Sequence, residues 1–343
     1  LRAVAAACFN LLAMPPLPLK IAGIGRYLPS RVVSSAEVER LCGLDAGWIE
    51  RKTGVRERRW VNGETNSFMG AQAAREAVAA AGLALADIDL IINASGSQEQ
   101  AIPDGGPLIQ RQLGLETSGV PCLSVHATCL SFIAAVDLSS SLLATGRARR
   151  ILVVSADIGS VGLNLKEPES ASLIGDAAAA VVLTTPAPGE PGRLLAARFE
   201  TYSAGADLTE IRGGGTRRHP NHPETRPEDN LFHMEGPLVY RMAREHLGGF
   251  LDRLRPGLSQ GLDGIKLVVP HQASLFAVRL LRKYGIPDDR VMVNLDRVGN
   301  CIATSIPSAL YDALLERRLA RGEQVLLLGT GAGLSFGGLI LEY

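Results

Sequence analysis

Short, wholly apolar runs and longer stripes of helical period alternate along this chain. Residues 19–24 read as a strand closed by Gly25 and Arg26. Residues 35–41, 45–53 and 65–81 carry helical spacing, the last ending at Gly82. Apolar runs at 88–94, 150–157 and 178–183 lack a polar face, as strands do when both sides of a sheet are covered. A short helix is expected over 106–113, and a strand over 122–127 that runs into a turn at Cys129. The helix predicted over 131–145 is apolar nearly all round and so belongs inside the molecule. Pro and Gly crowd residues 186–191 and mark a boundary.

The second half repeats the plan. Strands are expected over 194–202, 265–269, 291–294, 324–328 and 335–341, and helices over 237–253, 275–284 and 305–320. The last of these carries Pro307 in its first turn, where a missing N–H costs little. Residues 203–230 read as a loop. One half gives strand, Cys129, helix, Gly146 and the run Arg150-Ile151-Leu152-Val153-Val154. The other gives strand, Asn300, helix, Gly322 and Gln324-Val325-Leu326-Leu327-Leu328. This predicts a duplicated α/β fold with its site where the halves meet. The divisions are an extension over 1–17, an N-terminal half over 18–185 and a C-terminal half over 186–343.

The 343 residues suffice for a large core or two packed halves. Apolar residues make up 46% and charged residues 20%, a globular composition. Lys+Arg and Asp+Glu both total 35, so the balance favours neither nucleic acid nor an acidic membrane as partner. The five cysteines, Cys8, Cys42, Cys122, Cys129 and Cys301, form no CxxC pair, which fits reduced thiols in a cytoplasm better than disulfides or zinc. Residues 1–13 are apolar with one Arg; they read as an extension ahead of Met14, with no run long enough to span a bilayer.

Cys129 lies at a strand-to-helix turn, His271 follows the apolar run Leu267-Val268-Val269-Pro270, and Asn300 sits between Gly299 and a predicted helix. A cysteine at a helix start, with a His and an Asn elsewhere, is a candidate acyl-transfer site in which the thiolate attacks a thioester. Helix N–H groups at such a turn are expected to lower the thiol from about 8.5 toward neutrality. Each residue alone also fits a structural role: a core cysteine, a hydrogen-bonded His, an Asn cap. Gly329-Thr330-Gly331-Ala332-Gly333 follows a strand, and its small residues let backbone approach a ligand and offer an N–H to an oxyanion. It matches neither a phosphate loop nor a dinucleotide fingerprint.

Together these residues resemble the β-ketoacyl-acyl-carrier-protein synthase III group of the thiolase superfamily, from about Lys20 to Tyr343. The resemblance rests on Gly23-Ile24-Gly25-Arg26-Tyr27-Leu28-Pro29, on Trp48-Ile49-Glu50-Arg51-Lys52-Thr53-Gly54-Val55-Arg56, and on Ala127-Thr128-Cys129. It continues through Gly175-Asp176-Ala177, Met234-Glu235-Gly236, His271-Gln272-Ala273, Gly299-Asn300 and Gly331-Ala332-Gly333. The resemblance implies a five-layered αβαβα thiolase-like fold in a homodimer. It implies acylation of Cys129 by an acyl-CoA or acyl-carrier protein, then decarboxylative Claisen condensation with a malonyl-type thioester, in fatty-acid or polyketide assembly. His271 and Asn300 would bind the enolate oxygen, and the N–H groups of Cys129 and Ala332 would hold the tetrahedral oxyanion. CoA thioesters enter as substrates, with no resident cofactor and no metal.

The family's substrate contacts map onto Trp48, as the adenine platform, and onto Thr53, Ser274 and Gly331. Ile102 falls where the family reaches across the dimer and limits acyl length. Departures are Ser274 where Asn is usual, no adenine-side Arg in Leu165-Lys166-Glu167-Pro168-Glu169, and Phe276 at the carrier-docking Arg. Arg241, Arg279, Arg282 and Lys283 offer another basic patch. These departures suggest a specialised relative. Alternatives are acyl transfer from Cys129 to an oxygen or nitrogen acceptor, an olefin-type long-chain condensing enzyme (whose Glu base has no counterpart at Ile102, with Glu99 out of register), and a non-catalytic subunit.

Overall fold

The computed structural model describes residues 15–343; residues 1–14 of the predicted 1–17 extension, with Cys8 and the reading of Met14, lie outside the described residues, whereas Leu17 of that extension pairs with Leu194 as a strand of the C-terminal sheet. Two five-stranded sheets form the frame. In the first, Lys20–Tyr27 pairs antiparallel with Ala177–Thr184, which pairs antiparallel with Arg150–Asp157; Leu90–Asn93 and Cys122–Ser124 follow in parallel. In the second, Leu17–Pro18, Arg193–Thr201, Ser335–Glu342 and Gln324–Gly331 pair antiparallel in turn, and Ile265–Pro270 joins in parallel.

Side chains from alternate strand positions explain the layers. Val153, Val181 and Leu183 of the first sheet share a buried cluster with Leu267, Val325 and Leu327 of the second. Between the sheets, in that cluster, lie Phe132, Ile133 and Val136 of the helix Ser131–Ala144 and Ile306, Ala309 and Leu310 of the helix Ser305–Leu315. The opposite faces, Leu152, Val154, Ala180 and Val182 in one sheet and Val268, Leu326 and Ile340 in the other, are covered by the helices Asn66–Ala80 and Gly236–Leu254. The result is the five-layered αβαβα arrangement, in which strands buried on both faces need continuous apolar sequence.

Several expectations change. Residues 291–294 form no strand: Val291 makes one parallel bridge to Val268, and the Gln272 side chain takes the N–H groups of Asn294 and Leu295, both at 3.0 Å, in place of a neighbouring strand. The helix predicted to reach 320 ends at Leu315, and Arg317 takes a φ of +56°. The helix over 275–284 is α only over Leu275–Arg279 and tightens to 3-10 over Leu280–Tyr284. An antiparallel pair of short strands, Arg31–Ser34 with Glu57–Trp60, has no counterpart in the predicted elements. Its residues are largely polar, and Arg58 within it is fully buried, donating to Ser172 O and Ser35 Oγ.

Candidate active site

Both central helices start with the same turn. Thr128–Leu130 and Ile302–Thr304 are 3-10 turns whose first residues take φ +52° and +53°. The Ala127 N–H donates to Ser131 Oγ at 2.9 Å, and the Cys301 N–H donates to Ser305 Oγ at 3.0 Å. Matched through these bonds, Cys129 corresponds to Ala303 and Asn300 to His126. The expected equivalence of Cys129 and Asn300 is therefore displaced by three residues, because the duplicated turn tolerates different functional residues at different steps. Asn300 also follows the short helix Leu295–Val298 rather than a strand.

Cys129 keeps some accessible surface but is walled in by protein. Burial pushes its thiol up to about 12, and the negative charge of Asp157 adds to the shift. The N–H groups of Cys129 itself and of Ala332 are directed at the sulfur and pull the other way. The expected lowering toward neutrality does not occur: the partial charge of a helix end is too small to offset removal of a thiolate from water.

His271 follows the strand Ile265–Pro270, its own N–H bound to Leu328 O at 2.7 Å. Burial pushes its imidazole down to about 4, only partly offset by the backbone at Ile302. The ring is thus neutral at physiological pH, and its buried Nδ1 has no protein partner among the described residues. Asn300 is buried, and its Oδ1 accepts from the Ile302 N–H at 3.0 Å. That bond fixes which end of the amide accepts and leaves Nδ2 as its donor end.

A cavity of about 610 Å³ leads from Trp48, Lys52 and Phe276 to His271, Gly329 and Thr330. Trp48, Thr53 and Ser274 all line it; the Thr53 hydroxyl both donates and accepts within the protein, while the Ser274 oxygen accepts from its own helix. Thr53 donates to Ile49 O at 2.8 Å and accepts from Val55 N, while Ser274 caps its helix by accepting from Ala277 N at 3.2 Å. Gly331 lies past the cavity's end, where its lack of a side chain lets the strand lie on the Cys129 turn; a methyl group there would stand 2.6 Å from Thr128 Oγ1. Ile102 is away from the cavity and 87% exposed. Glu99 accepts from the Ser67 N–H at 2.8 Å at the start of the helix Asn66–Ala80, so its carboxylate serves that helix.

Two residues that sequence reasoning passed over support this site. Gln272, fully buried beside His271, ties the 292–295 segment to the strand end. Asp157 ends the apolar run 150–157, and a lone acid at the C-terminal end of a buried strand was the available signal.

Residues 123–203 match the family model described as 3-oxoacyl-[acyl-carrier-protein (ACP)] synthase III, and residues 259–343 match its C-terminal model. The chain is similar to a β-ketoacyl-[acyl-carrier-protein] synthase III of Roseiflexus castenholzii, 35% identical over 94% of this chain and 97% of that one. A 3-oxopimeloyl-[acyl-carrier-protein] synthase of Brucella abortus is 33% identical over 94% of this chain and 98% of that one. Among solved structures, the 3-oxoacyl-[acyl-carrier-protein] synthase III of Aquifex aeolicus superposes with a TM-score of 0.82 at 31% identity, covering 95% of this chain and all of the other. Among the described residues no helix is long and apolar enough to cross a membrane.

Proposed function

The chain belongs to the β-ketoacyl-[acyl-carrier-protein] synthase III family, a thiolase-fold condensing enzyme of fatty-acid or related biosynthesis, and from that premise we propose how its own residues carry the reaction. The observations that support the proposal are a half-buried thiol with two N–H groups aimed at it, a neutral His271 whose ring meets the Ile302 backbone, an Asn300 amide oriented by the N–H of the same Ile302, and Gly329 packed between His271 and Leu130, the neighbour of Cys129.

In the first step Cys129 attacks an acyl thioester. The new carbon–sulfur bond forms as the old one breaks, and the thiol proton leaves with the departing CoA or carrier thiol. The N–H groups of Cys129 and Ala332 stabilise the tetrahedral oxyanion. In the second step a malonyl-type thioester loses carbon dioxide, and the electron pair moves to its thioester oxygen. The imidazole N–H of His271 and Asn300 Nδ2 donate to that enolate oxygen. The enolate carbon then attacks the acyl group on Cys129; the carbon–sulfur bond breaks, the β-ketoacyl product leaves, and the freed sulfur takes one proton from water to return to the resting thiol. The overall event is acyl transfer to carbon, and it balances without a resident cofactor or metal.

The cavity from Trp48 to His271 takes the pantetheine-type arm of the thioester, with Trp48 under the adenine of a CoA donor; Thr53 and Ser274 shape the wall by packing, and Gly331 by holding the Cys129 turn. A carrier protein bearing the malonyl group is the second partner; of the four basic residues, Arg241 and Arg279 adjoin the cavity-lining Tyr240, Val278 and Leu280, Lys283 lies further along the same segment, and Arg282 is taken up by Asp288. A homodimer covers Ile102, which then sets acyl length.

Incubation with a panel of acyl-CoAs followed by intact-mass measurement tests the proposal, with Cys129→Ala as control. An acyl-sized gain lost in the variant, followed by carbon dioxide release on adding a malonyl thioester, is expected. Acylation that persists in Cys129→Ala would sink it.

A further inference from the structure

Asp157 is fully buried at the end of the strand Arg150–Asp157. One carboxylate oxygen accepts from Gly96 N and Ser97 N, each at 2.7 Å, and from Ser97 Oγ at 3.1 Å. The other accepts from Thr304 N and Thr304 Oγ1, each at 2.9 Å. All of these donors are neutral, and they come from opposite halves of the duplicated fold. Gly96 belongs to the N-terminal half and Thr304 ends the 3-10 turn of the C-terminal half.

What these donors touch matters. Gly96 lies against both turns of the site: a methyl group on it would stand 2.5 Å from Ile302 Cγ2 and 3.0 Å from Thr128 O. Thr128 precedes Cys129. Ile302 supplies the N–H that orients Asn300, and its backbone borders His271. The carboxylate therefore clamps the 96–97 loop from one side and the Thr304 turn from the other, with the Cys129 turn wedged against that loop.

We propose that Asp157 is a positioning residue for the condensation: its carboxylate holds the turn bearing Cys129 and the turn bearing Asn300 at one spacing. The role rests on the reading of Cys129 and Asn300 given above. Burial raises the Asp157 carboxyl while the donors from Ser97, Thr304 and Gly96 pull it back down, and the carboxylate they hold supplies an independent readout, since the thiols of Cys129 and Cys301 both feel its charge, the latter together with Asp176 and Arg26. An amide at this position would keep one acceptor oxygen, turn a donor toward N–H groups that need an acceptor, and remove the charge.

The test uses the full chain with Asp157→Asn and Thr304→Val, each checked for folding by circular dichroism. Alkylation of Cys129 by iodoacetamide is followed from about pH 7 to 10, alongside steady-state condensation. For Asp157→Asn we expect the alkylation curve to move to lower pH and turnover to fall about 100-fold, with KM for the acyl donor changed less than about threefold. Thr304→Val keeps the backbone N–H and the charge; its turnover should fall about three- to tenfold with the alkylation curve unmoved. Folded Asp157→Asn with turnover within about threefold of the parent, or with an unmoved alkylation curve, overturns the proposal. If Asp157→Asn does not fold, unchanged turnover in Thr304→Val overturns it instead. A parent enzyme that never acylates at Cys129 refutes the mechanism above rather than the clamp; then a moved alkylation curve upholds the coupling of Asp157 to Cys129 and an unmoved one overturns it.

Discussion

At the scale of single residues, the site keeps its two titratable groups uncharged, and both shifts share one cause. Burial disfavours the thiolate of Cys129 and the imidazolium of His271 alike. An ordinary thiol levels off in reactivity about one unit above a pKa of about 8.5. With its thiol pushed up to about 12, Cys129 should instead gain close to tenfold in alkylation rate per pH unit through that region; a plateau below pH of about 10 would contradict the burial argument. His271 has a stability consequence. In the unfolded chain it titrates near 6.5, and in the fold near about 4, so the unfolded chain binds the extra proton between those values. Stability is therefore lost as pH falls through that window and unchanged by this group below it. In urea titrations at pH of about 7 and 5, the parent should lose about 2 kcal/mol more than His271→Gln between the two. Equal losses would mean that the ring is not held neutral by the fold.

At the scale of elements, the strand Gln324–Gly331 ends on the Cys129 turn, and its glycines set how closely the two approach. Gly331→Ala places a methyl group 2.6 Å from Thr128 Oγ1 and 3.3 Å from Ala127 O. Overpacking of this kind costs about 1–3 kcal/mol. Because the strand is locked by its ladder to Ser335–Glu342, the turn is what yields, and the variant should lose acylation rate by more than its loss in melting stability accounts for. A second element-level expectation concerns Gln272. Gln272→Met keeps the bulk but orphans the N–H groups of Asn294 and Leu295, which should cost about 1–3 kcal/mol for each buried donor left unpaired, measured by chemical denaturation. The same contrast explains what was legible in the sequence. The strand Arg150–Asp157 coincides with its predicted bounds, because burial on both faces writes a continuous apolar run. Residues 291–294 carry an apolar run as well, yet a side chain takes the place of a neighbouring strand there, and periodicity cannot reveal that. Cys129, His271 and Asn300 were legible as residue types beside strand ends and turns, whereas Asp157 and Gln272 act through bonds between segments distant in sequence.

At the scale of the whole molecule, one edge of the N-terminal sheet is left open. Among the described residues the strand Cys122–Ser124 pairs only with Leu90–Asn93, its other side has no strand partner among them, and Leu123 on it is 46% exposed. Exposed apolar edge strands are costly in a monomer and serve as pairing surfaces. Ile102, the most exposed large apolar residue described, precedes the helix Gly105–Gln112, whose Gly106 lies against Cys122, so it stands on the same side of the molecule. An association of two copies through this edge would complete the ladder and cover Leu123 and Ile102 together. Sedimentation should then give about twice the 36.3 kDa chain mass, and Leu123→Arg, which puts a charge into the edge, should shift the protein toward single chains. Because Ile102 would reach its partner only across that contact, Ile102→Ala should leave the mass unchanged while lengthening the acyl groups accepted at Cys129 in the intact-mass panel. A Leu123→Arg protein that stays at twice the chain mass would place the interface elsewhere and remove the structural reason for Ile102 to set chain length.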